Sequence, residues 1–129
     1  MLNIISEINA YLKSRVTLPV IYQNVFPGTG TEELICRTEP STAVENRYLD
    51  GTREGALNFA YYSKSLNQVT ARTMLDSIVS ALDFAGVEIT DGLTVNIYPV
   101  TLPAYVQKTD KGEHIFTAAF RIEYLNRRI

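Results

Sequence analysis

The sequence predicts an α+β fold: a mostly antiparallel β-sheet with two helices packed on one side, plus a protruding hairpin arm. Three observations lead there. Two segments repeat apolar residues at helical spacing, one early and one in the middle of the chain. Around them run segments that alternate apolar and polar residues, the period of a strand. Asp50-Gly51 and Asp110-Lys111-Gly112 supply tight-turn signals of the kind that join antiparallel neighbours. Runs of strands separated by a helix put the helices on one side of such a sheet.

The first helix is expected from Leu2 to Ser14, where Leu2, Ile5, Ile8 and Leu12 form a stripe widened by Ile4 and Tyr11. Pro19 stops it near Thr17, because the residue before a proline is pushed toward extended geometry. Val20 to Phe26 reads as a strand ending at Pro27-Gly28-Thr29-Gly30, and Glu33 to Thr38 as a second. Glu39 to Gly55 is the least regular stretch. Asp50-Gly51 marks a hairpin tip there, with Tyr48-Leu49 and Thr52-Arg53 as its arms. From Ala56 the chain alternates, with Leu57, Phe59 and Tyr61 on one face and Asn58, Ala60 and Tyr62 on the other.

The second helix runs from Asn67, an N-cap residue, to Ala85, with Gly86 as its terminator. Ala71, Met74, Leu75, Ile78, Leu82 and Ala85 form its buried stripe; Arg72, Asp76, Ser80 and Asp83 face solvent. After the Asp91-Gly92 turn, Leu93 to Val100 is a strand with Val95 and Ile97 inward. Pro99 and Pro103 are read as bracketing a break. Ala104 to Lys108 and Glu113 to Asn126 then form a closing hairpin. Its last strand sets Phe116, Ala118, Phe120, Ile122 and Tyr124 against Thr117, Ala119, Arg121 and Glu123.

The 129 residues are read as one domain, 1–129, with 39–55 as its arm, and 46% hydrophobic with 20% charged residues is ordinary globular usage. A net charge of −2 argues against a phosphate-neutralising surface, so no specific nucleic-acid binding is expected. No run approaches the ~20 apolar residues of a membrane helix. The early basic residues, Lys13 and Arg15, follow the apolar segment, unlike a secretory leader. A soluble, intracellularly made protein is the expectation.

Few residues invite chemistry. His114, the sole histidine, is expected to be exposed at the tip of the last hairpin. Cys36, the sole cysteine, forms no internal disulfide and reads as core filler. Gly28-Thr29-Gly30 leads into a strand and not into the helix start that a phosphate-cradling loop requires. The acid pairs Glu32/Glu33 and Asp83/Glu88 are read as solvated surface. No enzyme, metal or cofactor is expected. Tyrosine stands out: there are eight, with Tyr48, Tyr61, Tyr62, Tyr98, Tyr105 and Tyr124 in sheet-like segments. They read either as a core edge with hydroxyls reaching solvent or as a protein interface, where tyrosine is enriched.

The run Leu57-Asn58-Phe59-Ala60-Tyr61-Tyr62-Ser63-Lys64-Ser65 precedes a helix carrying Ala71-Arg72, Leu75-Asp76-Ser77-Ile78 and Leu82-Asp83. Together they resemble the strand–helix core of phage tail terminators, a minor capsid protein family of long-tailed, siphovirus-type phages. Pro103-Ala104-Tyr105-Val106-Gln107-Lys108-Thr109-Asp110-Lys111-Gly112, with Phe116-Thr117-Ala118-Ala119-Phe120-Arg121, is similar to that family's closing hairpin. The two stretches cover about half the chain, and their motifs are structural. The resemblance implies an antiparallel sheet flanked by helices. It also implies a ring of identical subunits, commonly a hexamer, that caps the tail tube and meets head-completion proteins. The expected partners are therefore other copies of the chain, the major tail tube protein and a head-completion protein. The location is the head-proximal end of the tail in the virion, after synthesis in the host cytoplasm. Residues Glu39 to Gly55 lie outside the resemblance. They form the arm expected to reach a neighbour, with Tyr48, Leu49, Asp50, Arg53 and Glu54 as its candidate interface. The alternatives are another head–tail connector or tube subunit, or a small ligand-binding or regulatory α+β domain.

Overall fold

Alternation in the last strand sets the centre of the fold. In the computed structural model, which describes residues 2–28, 32–38, 44–47, 53–83, 86–89 and 93–126, β7 (His114–Asn126) lies between the two longest other strands. The elements in chain order are α1 (Leu2–Arg15), β1 (Ile21–Gln23), β2 (Glu32–Thr38), β3 (Val44–Arg47), β4 (Arg53–Ser65), α2 (Gln68–Leu82), β5 (Gly86–Ile89), β6 (Leu93–Lys108) and β7. The sheet runs β1-β2-β4-β7-β6-β5, and β3 pairs with β4. Among the described residues only β1 and β2 pair in parallel, from Ile21 opposite Leu34 to Gln23 opposite Cys36, and the other ladders are antiparallel. The fold is α+β, as the sequence predicts.

The apolar faces meet as their periods require. Phe116, Ala118, Phe120 and Ile122 of β7 are buried beside Phe59 and Tyr61 of β4, Leu34 and Cys36 of β2, and Val95 and Ile97 of β6. Ala71, Leu75, Ile78 and Leu82 of α2, with Ile5, Ile8 and Leu12 of α1, close over the same face. The aromatic rings of Phe59, Tyr61 and Phe120 sit at its middle, with centroids 5.5–5.9 Å apart. Tyr61 stands edge-to-face with both phenylalanines, an arrangement the ring quadrupoles favour. Asn67 caps α2 as expected: its side chain accepts hydrogen bonds from the Val69 and Thr70 amides at 2.9 and 3.3 Å. On the opposite side of α2, Arg72, Asp76, Ser80 and Asp83 are exposed, as predicted.

Four details differ from the sequence reading. The strand expected over Val20–Phe26 keeps only Ile21–Gln23. Asn24 adopts a left-handed φ of 69°, and the Val25 amide donates to the Gln23 carbonyl at 2.8 Å, turning the chain away. Helix α2 stops at Leu82, three residues short of Ala85, and Gly86 opens β5, a strand the sequence reading lacks. The break expected between Pro99 and Pro103 is absent. Strand β6 runs through both prolines and absorbs them as register shifts against β7 between Pro99 and Thr101 and between Thr101 and Ala104. Beyond Asn96, no strand among the described residues pairs with the outer side of β6, so a missing proline N–H leaves no ladder bond unmade there.

The fourth concerns the hairpin. Its arms are β3 and the start of β4, paired from Val44 opposite Ala56 to Arg47 opposite Arg53. The paired base is part of the main sheet, because β7 flanks the same stretch of β4 from its other side. The tip, 48–52, lies outside the described residues.

Candidate functional site

Among the described residues, no strand pairs with the outer side of β6 beyond Asn96. Where β6 loses β5 as a neighbour it carries exposed large apolar side chains: Val100 is 61% and Leu102 68% exposed, and Tyr105 and Val106 are exposed too. Sheet edges with unpaired amides and apolar side chains are templates for pairing with another chain. The opposite end of the sheet is strand β1, where Val20, Tyr22 and Val25 are also exposed. The two ends are unlike in sequence and length.

A second feature lies on the sheet face turned away from the helices. Glu33 of β2 stands directly opposite Lys64 of β4, and their side chains form a buried ion pair. The Lys64 Nζ also lies 3.6 Å from Oε2 of Glu113, a residue just before β7 that is itself buried. The ring of Phe26 covers Nζ, with its centroid 4.9 Å away. The Gly28 amide donates to both Glu33 oxygens, at 3.2 and 3.0 Å. The Thr109 hydroxyl donates to Glu113 Oε1 at 3.2 Å and accepts from the Glu113 amide at 3.1 Å. The reading of Glu32 and Glu33 as a solvated pair is therefore corrected: Glu32 is exposed, but Glu33 is buried and matched by Lys64. The signal available in sequence was the placement of Lys64, a charged residue that continues the face carrying Ala60 and Tyr62.

The remaining candidates resolve as follows. Cys36 is buried in the core, and burial pushes its thiol up to about 12, far from a usable nucleophile. Burial also raises Tyr61 well above the ordinary phenol range, and its hydroxyl donates to Asn9 Oδ1 at 2.6 Å. His114 is half-buried at the start of β7 and not at the exposed hairpin tip; its Nδ1 lies 3.2 Å from the Tyr105 hydroxyl. Of the eight tyrosines, Tyr61 belongs to the core, whereas Tyr22 and Tyr105 are exposed at opposite ends of the sheet. An open cleft of about 570 Å³ runs between α1 and α2, lined by Tyr11, Arg15, Asp76, Ser77 and Ser80. Among the described residues, no group of three or more histidine, cysteine or acidic side chains is placed to hold a metal ion.

The structure brings only part of the candidate interface into view. Tyr48, Leu49 and Asp50 lie outside the described residues. Arg53 and Glu54 open β4, registered with Arg47 and Asn46 on one side and with Asn126 and Leu125 on the other. No helix of the described chain is long and apolar enough to cross a membrane. The chain matches no protein-family model and no curated protein.

Proposed function

We propose that this chain is a structural subunit of a phage tail, of the tail-terminator kind, which joins copies of itself into a ring through the open ends of its sheet. The observation that carries the reading is the pair of unlike ends: β6 with Val100, Leu102, Tyr105 and Val106, and β1 with Val20, Tyr22 and Val25. A contact between two different patches of identical subunits is head-to-tail, and it closes into a ring when the rotation per step allows. The strand–helix and closing-hairpin motifs supply the tail context. The ring's partners are then the major tail tube protein below and a head-completion protein above, with Arg53 and Glu54 at the paired root of the hairpin as the candidate contacts to a neighbouring subunit.

Cryo-electron microscopy of tails from particles carrying this chain tests the location. A ring at the head-proximal end of the tube is the expected result, and absence of the chain from that position refutes the proposal. Leu102→Lys tests the contact. A lysine on an exposed edge is tolerated by the subunit but opposes strand addition. The variant is expected to melt like the parent, within about 0.5 kcal/mol, because the side chain is exposed, yet to fail to form rings. Normal rings from Leu102→Lys remove the β6 edge from the interface.

A further inference from the structure

The geometry points to a covalent bond: an amide between Lys64 Nζ and the side-chain carboxyl carbon of Glu33, formed autocatalytically with Glu113 as the proton carrier. This is independent of the assembly proposal and rests on the buried cluster alone. Four observations converge. The two residues are direct cross-strand partners, so their side chains leave neighbouring backbones toward the same side and are held together by the ladder. Both side chains are removed from solvent, at 8% and 3% exposure, and the Phe26 ring closes over the nitrogen. A second carboxylate, Glu113, has one oxygen occupied by the Thr109 hydroxyl and the other aimed at Nζ from 3.6 Å. The Gly28 amide donates to the Glu33 carboxyl, where a tetrahedral intermediate would gather negative charge.

The reacting pair is the neutral amine and the carboxylic acid, reached from ammonium and carboxylate by one proton transfer across their contact. The amine lone pair attacks Cδ of Glu33 and forms the C–N bond. Glu113 accepts the proton leaving Nζ and delivers it to the departing hydroxyl, which leaves as water. One amide and one water result, no oxidant or co-reactant is consumed, and Glu113 returns to its starting form. Holding the two groups in contact replaces a bimolecular condensation with an intramolecular one of high effective molarity. The product ties β2 to β4 and removes an ion pair from the interior. Among the described residues this cluster sets one ammonium against two carboxylates, and the product leaves only Glu113 charged.

Intact mass spectrometry of the denatured full chain reads the outcome directly. The expected result is a mass lower than the sequence mass by one water. Tryptic digestion should then give a branched peptide joining the segment with Glu33 to an uncleaved segment spanning Lys64. Lys64→Arg keeps the positive charge but should show the full mass, and Glu113→Gln should retain the full mass or lose water at least tenfold more slowly. A parent protein with its full sequence mass after prolonged incubation identifies the cluster as an ion pair only and overturns the proposal. A branch point at other residues overturns it as well, and unchanged kinetics in Glu113→Gln remove that residue's role.

Discussion

Truncating Leu75 to alanine probes whether α2 is held to the sheet by packing. Leu75 lies mid-helix with no exposed surface, between Ala71 and Ile78 on the stripe that covers the Phe59–Tyr61–Phe120 cluster. Losing the buried carbons forfeits roughly 2 kcal/mol of transfer free energy at ~0.8 kcal/mol per methylene. The cavity adds to this, because neighbours anchored on a sheet and a helix relax little; the sum is about 3–5 kcal/mol. Leu82, equally buried but in the last turn of α2, has helix on only one side. Its surroundings can collapse further, so Leu82→Ala is expected at the lower end, about 2–3 kcal/mol. Val69→Ala is the control, since Val69 is 72% exposed, and it should change stability by less than about 0.5 kcal/mol. Urea unfolding followed by circular dichroism gives the three values, with the slope checked for constancy. A Leu75→Ala cost below about 1 kcal/mol would refute the packing of α2 on the sheet. A Leu82→Ala cost above that of Leu75→Ala would refute the collapse argument alone.

Asn67→Ala removes the side-chain acceptor of the Val69 and Thr70 amides and should cost about 0.5–2 kcal/mol in the same unfolding assay; Asn67→Ser should recover most of it, and equal losses in both variants would argue against capping. Cys36 holds its proton up to about 12 in the folded chain, against 9.0 for an ordinary thiol. The stability this contributes is full below pH 9 and is lost as pH rises toward 12, because the unfolded thiol ionises first. Cys36→Ala should flatten the alkaline fall of the melting temperature, and the native thiol should resist alkylation at pH 8; rapid labelling of the folded protein would contradict its burial. Tyr61→Phe deletes the 2.6 Å bond to Asn9 and should cost about 0.5–1.5 kcal/mol, the net worth of one hydrogen bond to a half-buried partner, so a neutral result would show that water replaces the hydroxyl. Under the ring proposal, Arg53→Glu should still fold but lower the yield of intact tails in a complementation assay, since a misplaced interfacial charge is repelled; normal tails take Arg53 out of the contact.

What could be read from sequence follows the strength of local periodicity. The buried side of α2 repeats its apolar residues from Ala71 to Leu82, about three turns, with a cap at Asn67, and β7 alternates without interruption from Phe116 to Ile122. Both were legible for that reason. Strand β5 was not, because four residues beginning with glycine carry too little pattern to distinguish a strand from the tail of a helix. The continuity of β6 was hidden by its prolines, whose tolerance depends on which side of the strand lacks a neighbour, a fact of sheet order and not of local sequence. The Glu33–Lys64–Glu113 cluster could not be assembled for the same reason: the sequence hints only at Lys64, and the three residues are brought together by the β2–β4 register and the β6–β7 turn. Cys36 and the polar side of α2 needed no such long-range information and were read correctly.

The central position of β7 has a consequence for how the chain reaches this fold. The β4–β7 ladder is registered from Arg53 opposite Asn126 to Ser65 opposite His114, so α2, β5 and β6 all lie between its two strands in the sequence. During synthesis, β4 can pair early with β2 and β3, but its other side stays open until β7, the last of the described strands, has been made. The β6–β7 hairpin is the local unit able to form first from that end, and its docking onto β4 closes a long loop in a single step. Folding dominated by such a distant pairing is slow. In the interval, the Phe59–Tyr61 face of β4 is an exposed apolar strand with unpaired amides, the species from which aggregation starts. Refolding yield should therefore fall with protein concentration, and excess β6–β7 hairpin peptide, by occupying β4 in trans, should compete with the chain's own strand.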